Sequence, residues 1–160
     1  PERRNRVTIV VYGQSISKQA WSERVRVELA RRYPHAELVF HNPSIGGFSS
    51  PVLLRTLEHD VIPLQPDLVI FHVYGGEPEY EAIIREIRTR TTAEILIQND
   101  FVSPGQKAEW HDKHSWQWLP ELARRYGAEV ADVRRGWLDY MADQKLPATA
   151  LVGPDRAHLN

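Results

Sequence analysis

Residues 7–12 form a short β-branched run that breaks at Gly13 and presents the Ser15 hydroxyl just beyond it. That pattern predicts a strand ending in a turn. Residues 17–33 then carry Trp21, Val25 and Leu29 at helical spacing, with Arg24, Arg26, Glu28, Arg31 and Arg32 mostly on other faces, and Tyr33-Pro34 stops the helix. A second strand is predicted over 36–40, followed by a loop over 41–50 rich in turn formers. Pro51 suits the first turn of a helix over 51–61. Residues 67–74 are nearly all apolar, as a central parallel strand covered on both faces requires. Tyr80, Ile83, Ile84 and Ile87 mark a helix as far as Arg90, and 94–98 reads as a fourth strand ending in Asn99-Asp100. A helix over 110–126 is expected to stop at Gly127, with Pro120 splitting it. A weaker fifth strand over 128–133 and a short helix or turn over 137–141 complete the pattern before the chain loosens over 147–154.

Strands alternating with helices predict a parallel three-layer α/β sandwich, whose sites lie at the carboxyl ends of its strands. That rule selects Ser15, the Gly46-Gly47 loop, residues 75–77, Asn99-Asp100, and the last loop with Asp155 and His158. At 160 residues the chain is one domain's worth, enough to bury a core without disulfides or metal. A net charge of −1 with interspersed signs argues against nucleic acid or an anionic membrane as the main partner. The absence of cysteine excludes thiol redox catalysis, thiolate zinc sites and disulfide scaffolding. No apolar run reaches transmembrane length, no repeat is present and no signal-peptide pattern opens the chain, which starts at Pro1 and reads as trimmed.

Ser15 at a strand-to-helix turn has two readings. It or Ser17 caps the helix that follows, or Ser15 is a nucleophile on a bend that lifts its side chain clear of the sheet. Acyl transfer at a serine needs a base, a carboxylate to orient the base, and N–H donors aimed at the oxyanion. In Asp155-Arg156-Ala157-His158 the acid and the imidazole lie close enough for one loop to present both. The pair His111-x-x-His114, with Asp112 and Glu109, has a spacing compatible with metal ligation, but no third ligand is evident and a solvated helix face accounts for it, so no metal is expected. Trp110, Trp116, Trp118 and Trp137 have faces that could stack on sugar rings, but most of them are expected in the core, with Trp110 at a rim. Tyr74 and Phe48 are expected as pocket walls, and His72 as a hydrogen-bonded core residue.

Taken in order, these blocks resemble the SGNH (GDSL-type) hydrolase superfamily, flavodoxin-like α/β esterases and lipases. Gly13-Gln14-Ser15 resembles its first block, with Gln14 where aspartate is commonest, a substitution also met in sugar O-acetylesterases. Residues 42–50 with Ile45-Gly46-Gly47 resemble the second, and residues 155–160, including Leu159-Asn160, the fifth. The resemblance implies Ser15 as nucleophile, His158 as general base and then acid, and Asp155 as its orienter. It implies oxyanion donors at Ser15 and at Gly46 or Gly47, and a substrate wall of Gln14, Phe48, Tyr74, Gly75, Gly76 and Glu77. Block three departs, since Glu77 stands where the oxyanion-hole asparagine belongs. Two backbone donors suffice, or Asn99 fills in, or the site is impaired; Glu77 itself either binds a substrate hydroxyl or starts the next helix. Family members usually continue into a last helix, so residues 1–160 are expected to be a single domain cut at its C-terminus or taken from a larger protein. The function implied is removal of O-acyl groups, acetyl first, from a carbohydrate without metal or organic cofactor. The partner is a small-molecule or glycan ester in a secreted or periplasmic setting. An impaired binding or scaffold module, or a lipase or thioesterase of the same superfamily, is the alternative.

Overall fold

The computed structural model describes residues 5–159, and in it every strand-forming run finds a place in one sheet. The strands β1 (Arg6–Gly13), β2 (Glu37–His41), β3 (Leu68–His72), β4 (Glu94–Gln98) and β5 (Glu129–Ala131) form a five-stranded parallel sheet in the order β2-β1-β3-β4-β5. Between and after them come α1 (Ala20–Arg32), α2 (Ser50–Asp60), α3 (Glu77–Arg90), α4 (Ala108–Lys113), α5 (Leu119–Tyr126) and α6 (Val133–Gln144). This is the α/β architecture that the alternating pattern predicts. The chain's internal contacts group into two compact units that divide between Leu96 and Ile97.

In the first unit β1 pairs in parallel with both β2 and β3, with Val10 opposite His41 on one side and Gly13 opposite His72 on the other. The connections leave β1 in opposite directions, which makes the carboxyl ends of β1 and β3 a topological switch point, the usual place for a site. Side chains of β1 alternate with period two. Ile9 and Val11, with Ile70, pack against Trp21, Val25 and Leu29 of α1. Tyr12 points the other way, its hydroxyl donating to the Leu53 carbonyl of α2 at 2.6 Å and its ring stacked 6.0 Å from Phe71. Burial raises the Tyr12 phenol pKa to about 12, despite the Thr56 hydroxyl beside it.

The second unit departs from the expected helices in two places. Pro120 does not split the helix over 110–126. Instead α4 passes through a π turn, His114–Trp118, into α5 without a break. The Leu119 N–H bonds the His114 carbonyl, so the ladder shifts register immediately before the proline would have interrupted it. The short helix or turn expected over 137–141 is the 12-residue α6, whose first turn is capped by Asp132 accepting from the Arg135 N–H at 3.0 Å. Gly136, a poor helix former near its start, masks that helix in the sequence. After α6 come a single 3₁₀ turn, Ala148–Ala150, and an antiparallel bridge between Val152 and Leu159. Among the described residues no helix is long and apolar enough to cross a membrane.

Candidate active site

Ser15 owes its position to a glycine. A Cβ at Gly13 would overlap the His72 carbonyl oxygen and the Ser17 hydroxyl, so β1 can lie this close to β3 at its carboxyl end only with glycine there. The chain then turns through extended Gln14 into a 3₁₀ turn, Ser15–Lys18, closed by the Ser17 N–H on the Gln14 carbonyl at 3.0 Å. Neither serine acts as a helix cap. Gln14 and Gln19 occupy the N-cap positions of the 3₁₀ turn and of α1, with no side-chain capping bond. Ser15 is half-buried, whereas Ser17 is buried and its hydroxyl has no hydrogen-bond partner. The turn is held from outside by Asn42, whose amide donates to the Ser17 carbonyl at 2.8 Å, and by the Trp21 indole N–H on the Ile16 carbonyl at 2.7 Å.

The loop after β2 runs along this turn. Ile45 donates its N–H to the Gly13 carbonyl at 3.0 Å, and the buried Ser44 hydroxyl donates to the Val11 carbonyl at 3.2 Å. Gly46 therefore abuts the serine: a Cβ built on it would lie 3.8 Å from Ser15 Cβ. Among the described residues the backbone N–H groups of Ser15, Gly46 and Gly47 donate to no backbone acceptor, and Gly46 and Gly47 are exposed. Phe48 is half-buried just beyond them. The loop after β3 is strapped to α2, with the Ser50 N–H on the Tyr74 carbonyl at 3.1 Å and the Ser50 hydroxyl on the Gly76 carbonyl at 3.0 Å. Gly75, at φ +148°, has no room for a side chain against Ser50. Glu77 is the first residue of α3, where its charge meets the positive end of the helix dipole. Tyr74 is half-buried with its ring 5.0 Å from that of buried His72, and Gln14 is buried at the start of the serine turn.

In the second unit Asp155 and His158 form a closed pair. Asp155 Oδ2 lies 2.5 Å from His158 Nδ1, while Oδ1 accepts the N–H groups of Ala157 and His158 at 3.0 and 3.1 Å. The His158 imidazole and these backbone donors hold the Asp155 carboxyl down, to a pKa of about 2. The loop closes on itself through the Gly153 N–H on the His158 carbonyl at 2.7 Å and the Arg156 N–H on the Gly153 carbonyl at 2.9 Å, with Arg156 in the left-handed region at φ +57°. Both side chains are open to solvent, His158 by 41% and Asp155 by 53%. Asn160, counted in this fragment by the resemblance, lies outside the described residues.

Asn99 is placed differently from the stand-in oxyanion donor that the sequence suggested. It is fully buried, its amide donates to Asp132 at 2.8 Å, and its carbonyl oxygen accepts the Arg134 N–H at 2.9 Å. The carboxamide is thus occupied at both ends in joining β4 to the start of α6. Burial raises the Asp132 carboxyl pKa, but the Asn99 amide, the Arg135 N–H and the Trp116 indole outweigh it and leave it below the ordinary value.

Three further features were not legible in the sequence. The buried carboxylate of Asp100 meets His111 Nδ1 at 2.5 Å, and the buried Arg134 joins Asp112 at 2.7 Å to the Phe101 carbonyl at 3.2 Å. His114 stacks between Trp110 and Trp118, with ring centroids 4.8 Å from each. Trp116, Trp118 and Trp137 are half-buried, short of the core positions expected for them, while Trp110 is exposed. Among the described residues no cluster of three or more histidine and carboxylate side chains is arranged to hold a metal ion.

No family model matches the chain, and no curated protein matches it in sequence. Solved structures match it over nearly their whole length. A catalytic mutant of Axe2, an acetylxylan esterase from Geobacillus stearothermophilus, superposes with a TM-score of 0.83 at 17% identity, covering 100% of this chain and 90% of that one. A GDSL-like lipase from Parabacteroides merdae gives 0.84 at 14% identity, covering 98% and 89%. LAE5, an α/β hydrolase enzyme from the metagenome of Lake Arreo, Spain, gives 0.79 at 19% identity, covering 99% and 89%. In fold, this chain is similar to acetylxylan esterases and GDSL-like lipases.

Proposed function

We propose that this protein is a serine esterase that removes O-acyl groups, acetyl in the first place, from a carbohydrate. The observation that carries the reading is the Asp155–His158 pair, in which a carboxylate held ionised by three hydrogen bonds fixes the imidazole through Nδ1. Ser15 on its bend, with Gly46 abutting it, supplies the complementary parts. Support also comes from the Geobacillus esterase, whose catalytic mutants include changes at a serine, an aspartate and a histidine, the aspartate three positions before the histidine.

In the proposed reaction His158 Nε2 takes the proton of the Ser15 hydroxyl as its oxygen bonds the ester carbonyl carbon. The resulting oxyanion is received by the N–H groups of Ser15 and Gly46. Collapse breaks the bond to the sugar oxygen, which leaves with the proton from His158, and an acyl-serine remains. Water, deprotonated by His158, then attacks the acyl carbon, and the carboxylic acid departs as the proton returns to Ser15. Glu77 cannot donate to the oxyanion when ionised, so the hole rests on backbone donors; losing a third donor costs about 2.7–4 kcal/mol of transition-state stabilisation. Gln14, Phe48, Tyr74, Gly75 and Gly76 are the proposed substrate wall.

Turnover of p-nitrophenyl acetate by the wild type and by Ser15→Ala tests the reading. The variant is expected to lose activity by about 10³-fold or more. Equal rates for two folded proteins would instead leave a binding or scaffold module, and faster hydrolysis of octanoyl than acetyl esters would replace the substrate class with a lipase or thioesterase.

A further inference from the structure

We infer that one face of α4 and the π turn after it is a binding subsite for a neutral oligosaccharide. A groove of about 510 Å³ runs there, lined by Glu109, Asp112, Lys113, Trp116 and Gln117. Spacings of three and four residues put all five on one side of the helix. Sugar rings are bound by an aromatic surface against their C–H faces together with acceptors and donors for their hydroxyls. The groove has both.

Trp116 is held before any ligand arrives. Its indole N–H lies 3.2 Å from each oxygen of Asp132, and the Arg135 guanidinium sits 4.5 Å from the ring centre. An aromatic wall so fixed loses little freedom on binding. Among the described residues the side chains of Glu109, Lys113 and Gln117 have no hydrogen-bond partner. They therefore offer a carboxylate acceptor, an ammonium donor and an amide with one of each.

The charge balance selects the ligand. Asp112 is compensated by the buried Arg134 at 2.7 Å, and the charges of Glu109 and Lys113 cancel. With its carboxylates offset, the groove has no net charge to draw in a phosphate or a uronate, and an uncharged polyhydroxylated chain matches it. The choice of a sugar chain as occupant rests on the proposed carbohydrate esterase reading.

Isothermal titration of the full chain with unacetylated xylotetraose tests the subsite without any turnover. Binding is expected in the wild type, weakened about tenfold or more by Trp116→Ala and at least about threefold by the paired exposed changes Glu109→Ala and Gln117→Ala. Trigalacturonate is expected to bind more weakly than xylotetraose. No binding of xylotetraose by the wild type, unchanged affinity in the Glu109→Ala/Gln117→Ala protein, or tighter binding of trigalacturonate would overturn the inference. The p-nitrophenyl acetate assay reports on the esterase reading separately: binding without hydrolysis leaves the subsite standing and removes the esterase, and hydrolysis without binding does the reverse.

Discussion

Asp155 uses both carboxylate oxygens, one for the imidazole and one for two backbone N–H groups, so the acid is at once the orienter of His158 and the brace of its loop. Two outcomes follow at this scale. Asp155→Asn is expected to lower kcat for p-nitrophenyl acetate by about 10³–10⁴-fold, because the amide can no longer dictate which imidazole nitrogen carries the proton. The second concerns pH. The folded Asp155 pKa lies near 2, below its unfolded value of about 3.9, so its contribution to stability is full above the unfolded value and is lost only as pH falls toward 2. Above about pH 4 the carboxylate therefore stays ionised, and the acid limb of kcat/KM should follow a single ionisation. A limb of slope two in that range would show that Asp155 titrates with its partner.

Arg134 shows what an element-level contact adds that a pattern of apolar residues cannot convey. Its guanidinium, 3% exposed, reaches from α6 to Asp112 on α4 and to the Phe101 carbonyl after β4, while Asp112 stays 41% exposed. Removing the acid strands a buried cation; removing the cation leaves an acid that water can reach. Asp112→Ala is thus expected to cost about 3 kcal/mol in urea unfolding and Arg134→Met only about 1–2 kcal/mol. The reverse order would mean that Arg134 is solvated on opening. The strands were legible because β-branched runs such as 94–98 have one use, and α3 because Tyr80, Ile83, Ile84 and Ile87 share a stripe. Arg134 was not, since a polar residue in sequence reads as solvated whatever it touches. The π turn was hidden for a related reason: its single shifted hydrogen bond, Leu119 to His114, leaves no mark on residue type. Of the candidate site, Ser15, Gly46, Asp155 and His158 could be named from strand ends and spacing, whereas the commitment of the Asn99 amide to Asp132 depends on a partner 33 residues away.

For the molecule as a whole, the strand order β2-β1-β3-β4-β5 makes β1 an interior strand, with a neighbour on each side. Its two partners arrive at very different times along the chain. The bond from the Thr8 N–H to Asp67, which pins β1 beside the start of β3, spans 59 residues, and Gly13 meets His72 at the far end of the same pairing. Helices need only local contacts, but parallel strands must close such long loops before they gain anything. The bend that carries Ser15 leans on the His72 carbonyl, so it acquires its shape only when that loop has closed. Seen as a sequence of events, the serine is among the first residues in the chain and among the last to become what it is. On dilution from urea, far-ultraviolet circular dichroism should recover before Ser15 becomes reactive toward a fluorophosphonate probe; recovery of both in one exponential would mean that the turn forms with the helices.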